Sequence, residues 1–68
     1  MNSEIINLIR TESKSKSSDA LDKIIECCGH MKEVGINGRD IDSINGYVTV
    51  LVTQAAKEEV AELLERQD

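Results

Sequence analysis

The chain contains no phenylalanine, tryptophan or proline, and Tyr47 is its one aromatic residue among 68. Any core must therefore come from aliphatic side chains, without the large buried area that rings supply. No stretch approaches the roughly 20 apolar residues of a membrane span. The opening, MNSEIINLIR, has no basic region leading into a long apolar run, so no secretory leader is expected. Cysteine is scarce: Cys27 and Cys28 are neighbours, and a bridge between neighbours closes almost no loop. Two free thiols without a leader predict a cytoplasmic protein. Basic charge is also short, with 8 Lys and Arg against 13 Asp and Glu and a net charge of −5. That balance argues against a polyanionic partner and against direct nucleic-acid binding.

What remains is 40% hydrophobic, enough for a folded chain. Residues 1–68 read as a single domain. A chain this short buries only roughly 60% of its unfolded surface, so a homo-oligomer, and most simply a dimer, is expected.

The pattern along the chain predicts an α+β fold. Residues 3–12 fit either element: Ile5, Leu8 and Ile9 match helical spacing, whereas Ile6, Leu8 and Arg10 could share one side of a strand. Residues 11–18, TESKSKSS, are polar without periodicity and read as an exposed connection. A helix is predicted over 19–34, capped by Ser18, with Leu21, Ile24, Ile25, Cys28 and Met31 as its apolar stripe. Gly35 can end it in the left-handed conformation, with Ile36 folding back on Met31.

The period then shifts toward two. Residues 39–53 read as a β-hairpin, two strands joined by Asn45-Gly46, a dipeptide suited to a two-residue turn. That register puts Ile41, Val48, Val50 and Val52 on a core face and Ile44, Tyr47 and Leu51 on an outer one. A last helix is predicted over 55–67, capped by Thr53, with Glu62 placed to pair with Arg66.

Few residues carry chemistry. On a helix, Cys28 sits on the apolar stripe and His30 on the polar side, so only Cys27 and His30 could address one ligand. A structural zinc needs about four ligands and no second Cys/His cluster exists, so no metal, cofactor or catalytic residue is assigned. A thiol or metal site through Cys27 and His30 stands as an alternative. Glu58, Glu59, Glu62 and Glu65 form an acidic helix surface.

Residues 19–65 resemble the middle of an ACT-type (ferredoxin-like) regulatory domain, in which a helix runs into a Gly-Ile-Asn turn, a hairpin and a second helix. The resemblance implies that Gly35, Ile36 and Asn37 could contact a small effector. It carries no fourth strand here, and SKSKSSDAL replaces the family's loop before the first helix.

The leading functional expectation is a small acidic non-enzymatic protein that works by contact with another protein, as regulator, adaptor or inhibitor. Its working surface would be Ile44, Tyr47 and Leu51 with Glu58, Glu59, Glu62 and Glu65. In size and charge it is similar to phage and mobile-element accessory proteins, including inhibitors of host-defence nucleases. The ACT-like ligand-binding module is the alternative.

Overall fold

The computed structural model describes residues 2–67, and they form an antiparallel helical hairpin. Helix α1 runs Asn2–Val34 and helix α2 runs Gly38–Arg66. The molecule measures 51 × 14 × 12 Å.

Local chemistry supports both helices. No proline interrupts them. In α1, Glu12 pairs with Lys16 four residues on at 2.7 Å, and Lys23 with Glu26 at 3.2 Å. Glu4 lies in its first turn and Lys32 in its last, matching the helix dipole. Gly35 closes α1 with φ +94, and its N–H donates to the Met31 carbonyl at 2.9 Å. Helix α2 starts at an Asn37 cap, whose Oδ1 accepts from the Asp40 N–H at 2.9 Å. At its far end Arg66 pairs with Glu62 at 3.0 Å.

The contact seam is narrow. On α1 the half-buried or buried positions are Ile6, Ile9, Ser13, Ser17, Ala20, Ile24, Cys27 and Met31, recurring every three or four residues. On α2 they begin at Asp40, Ile44, Tyr47 and Leu51 and continue through Gln54 to Ala61 and Leu64. Among the described residues only Ile6, Ala20 and Ala61 are buried apolar residues, with Ser13 and Gln54 as buried polar ones. Small side chains at the middle of the seam let the backbones approach closely.

The α+β expectation is overturned, because no strand occurs among the described residues. Residues 3–12, open between helix and strand, are helical. Residues 11–18 are not a connection: they continue α1, and Ser13 is fully buried against α2. Their serines are small enough for the seam, and Glu12 pairs with Lys16 along the helix. The helix expected over 19–34 is the second half of α1, so Ser18 caps nothing. Its end at Gly35 is as expected, but Ile36 is 87% exposed and does not fold back on Met31.

Residues 39–53 are the first half of α2 rather than a β-hairpin. Gly46 lacks the positive φ that its turn would require, since Gly35 alone has one among the described residues. The β-branched run YVTVLVT fits a helix because its threonines bond backward. Thr49 Oγ1 donates to the Asn45 carbonyl at 3.0 Å, and Thr53 Oγ1 to the Thr49 carbonyl at 2.9 Å. The helix expected over 55–67 is the continuation of α2 to Arg66, and Thr53 lies inside it. With the strands gone, the ACT-like architecture is gone too, and with it the basis for an effector turn.

Candidate interaction surfaces

Helix geometry divides the hairpin into two sides. At about 100° per residue, a side chain one position after a seam residue points to one flank, and one position before it points to the other. Because the helices are antiparallel, the residues that follow the seam on both helices share a side. The ion pairs agree. Arg10 follows Ile9, Glu65 follows Leu64, and their guanidinium and carboxylate meet in two hydrogen bonds of 2.8 and 2.7 Å. Glu12, one before Ser13, reaches Lys57 at 3.8 Å on the opposite side.

The side that follows the seam carries a block of apolar residues toward the loop. Leu21, Ile25 and Cys28 come from α1, and Ile41, Val48 and Val52 from α2. All six are exposed, Ile25 by 66% and Val52 by 64%. Toward the termini the same side is charged. Its α1 residues there are Arg10 and Lys14; its α2 residues are Glu58, Glu62 and Glu65.

The opposite side has a smaller apolar group near the termini: Ile5, Leu8, Val60 and Leu63, with Leu8 71% exposed. Leu63 shares its surroundings with Glu59, Glu62 and Arg66. Midway along this side lies an open groove of about 370 Å³, lined by Lys16, Asp19, Ala20, Tyr47, Val50 and Gln54.

The expected contact residues divide. Ile44, Tyr47 and Leu51 are half-buried on the seam, so they form no outer face. Glu58, Glu59, Glu62 and Glu65 are all exposed on the second half of α2. Sequence reasoning placed Ile41, Val48 and Val52 in a core, and they prove to be surface. Reading the chain as two long helices would have found them, since each falls one residue after a seam position.

At the loop, Gly35 and Asn37 join the two helices, while Ile36 is exposed. Asn37 Nδ2 donates to the Gly35 carbonyl at 3.1 Å and to Asp40 Oδ2 at 2.7 Å. His30 Nδ1 lies 2.6 Å from the same Asp40 oxygen, tying the end of α1 to the start of α2. The Asp40 carboxyl is held below its ordinary range by the Asn37 hydrogen bond and then by His30.

His30 Nδ1 is thus engaged with Asp40 rather than with Cys27. Cys27 is half-buried, with its thiol pushed up by desolvation and by nearby Asp40, which disfavours the reactive thiolate. Cys28, expected on the apolar stripe, is the exposed member of the pair. Among the described residues no group of three or more His, Cys, Asp or Glu side chains could hold a metal ion. None of the described helices is long and apolar enough to cross a membrane. No family model, curated protein or solved structure matches this chain.

Proposed function

We propose that this chain is a non-enzymatic interaction protein that binds another protein through the terminal group Ile5, Leu8, Val60 and Leu63. The observation that carries this reading is the exposure of these four side chains together on one side of the hairpin, each by 47% or more. Single exposed apolar residues are ordinary, whereas a contiguous group across two helices is the usual mark of a contact surface. A helix pair presenting such a group fits the helix-in-groove mode of recognition, with anchors three residues apart on each helix.

Charge specifies the partner further. Glu59, Glu62 and Arg66 surround Leu63, with Arg66 paired to Glu62 and Glu59 in no ion pair among the described residues, and the chain carries a net charge of −5. A partner with an apolar groove inside a basic rim fits best, and its association should slow as salt rises. An inhibitor or adaptor acting on a basic, nucleic-acid-handling protein has this chemistry.

The test is capture from the native host with the wild-type chain, with Leu8→Glu/Leu63→Glu, and with Ile36→Ser as a surface control. A protein held by the wild type and the control but lost with the double variant supports the reading. Equal capture by all three, or capture of nothing, overturns it.

A further inference from the structure

The hairpin alone leaves more surface open than a compact chain of its mass. A folded monomer of 7.5 kDa exposes about 4,250 Å² by the general scaling of surface with mass. This one exposes 5177 Å², an excess of roughly 900 Å². A standard protein interface buries about 800 Å² on each partner. The excess therefore matches the area that one stable interface would remove.

The block of Leu21, Ile25, Cys28, Ile41, Val48 and Val52 is where such an interface fits. We propose that it packs on the same block of a second copy, related by a two-fold axis parallel to the helices, to give a four-helix bundle with both loops at one end.

Charge selects this arrangement over its alternative. On the side concerned, the charged residues of α1 are Arg10, Lys14 and Lys32, all basic. Those of α2 are Glu58, Glu62 and Glu65, of which Glu62 is paired by Arg66 and Glu65 by Arg10 within the chain, leaving Glu58. A two-fold axis along the helices sets α1 of one copy against α2 of the other at the same height. Lys14 then meets Glu58 in the terminal half while apolar meets apolar along the loop half. An axis across the helices that matched the two apolar blocks would set α1 on α1 and leave the terminal halves unopposed, so that neither Lys14 nor Glu58 gained a partner. Lys14 and Glu58 enter no ion pair within the chain among the described residues, so both are free to bond across the interface. Neighbouring helices in the bundle are all antiparallel, the ordinary geometry of four-helix bundles. The symmetry is isologous and closed, so it yields a dimer rather than a filament.

This surface is distinct from the terminal group assigned to another protein, and the two can fail independently. Sedimentation equilibrium of the full chain, with circular dichroism alongside, gives the first test. The wild type should be dimeric at tens of micromolar, Ile25→Asp/Val48→Asp should associate at least about tenfold more weakly, and Leu8→Glu should remain dimeric. Because the double variant could lose its fold, a second readout uses Cys27→Ala, which leaves Cys28 as the single thiol. Its alkylation rate should fall as protein concentration rises through the dimerisation range.

The axis is tested by Lys14→Glu and Glu58→Lys. Each alone places like charges across both halves of the interface and should weaken the dimer. Mixed together, the two variants place opposite charges at both contacts, and dimer should return as the mixed species. A monomeric wild type at hundreds of micromolar, a Cys28 rate independent of concentration, or a mixture no better associated than its parts would overturn the proposal.

Discussion

Ser13 and Gln54 meet at the middle of the seam, where the Ser13 hydroxyl donates to the Gln54 backbone carbonyl at 3.0 Å. Both residues are buried, and the side-chain Oε1 of Gln54 has no hydrogen-bond partner. The two polar groups therefore differ in sign. A satisfied hydroxyl contributes about 1 kcal/mol, while an unpaired buried acceptor costs about 1–3 kcal/mol. Ser13→Ala should lower the denaturant midpoint, and Gln54→Leu should raise it, at matched protein concentration. If Gln54→Leu lowers it, the amide is satisfied across a copy interface or by water. Such a polar layer is suited to fixing one register of two otherwise similar helices, as polar seam positions do in coiled coils.

Gly46 and Gly35 make opposite predictions, and together they test the fold. Gly46 lies inside α2 with nothing within 4 Å of a β-carbon placed on it. Gly46→Ala should therefore stabilise the protein by up to about 1 kcal/mol, the intrinsic difference between the two residues in a helix. Gly35 has equal space, but its φ of +94 strains any L side chain. Gly35→Ala should destabilise by about 1 kcal/mol. Thermal melts by circular dichroism read both. A hairpin turn at Asn45-Gly46 would reverse the first sign, because alanine resists the positive φ of that turn.

The same pair shows what could be read from the sequence. The end of α1 was legible because Gly35 follows an apolar stripe, and the Glu62–Arg66 pair was legible from spacing alone. The first half of α2 was not, because apolar residues at 47, 48, 50, 51 and 52 satisfy period two and period three-to-four at once. Asn-Gly then tipped the reading toward a turn. Two signals pointed the other way: the absence of proline, and the step from Asp40 through Ile44, Tyr47, Leu51 and Gln54 to Ala61. The polar run 11–18 misled for a related reason. Its seam residues, Ser13 and Ser17, are small rather than apolar, so hydrophobic periodicity passes over them. The terminal and loop-side apolar groups depend on knowing which residues face the partner helix, so they emerge only once both helices are in place.

Asn37 is the residue on which the turn between the helices depends. It caps α2 through Asp40 N–H, holds the Asp40 carboxylate, and bonds the Gly35 carbonyl. Asn37→Ala should cost about 1 kcal/mol, typical of a lost cap. Asn37→Asp keeps the accepting oxygen but sets a second carboxylate beside Asp40, and it loses both donated bonds. It should therefore recover only part of the stability at neutral pH, and more of it in acid, where one carboxyl of the pair is protonated. Recovery that does not change with pH would show that the Asn37–Asp40 side-chain bond contributes nothing.

Acid should unfold the hairpin by releasing three carboxylates at once. Glu12 is held below its ordinary range by its hydrogen bond to Lys16, then by Lys16 and Lys57 charge. Asp40 is held low by Asn37 and His30, and Glu65 by the Arg10 guanidinium. Each has a lower pKa folded than unfolded, so its contribution is complete above the unfolded value and is lost as pH falls through the folded one. A second effect opposes this at first. The net charge of −5 shrinks as pH approaches the pI of 4.7, which relieves self-repulsion between acidic α2 surfaces. The melting temperature should therefore hold or rise slightly from pH 7 to about 5, then fall steeply below about 4. Glu65→Gln separates the two effects. It removes a depressed carboxyl and one negative charge, so it should lower the melting temperature at pH 7 while making the acid decline shallower. A decline of unchanged steepness in Glu65→Gln would mean that the Arg10–Glu65 pair does not join the ends of the two helices in solution.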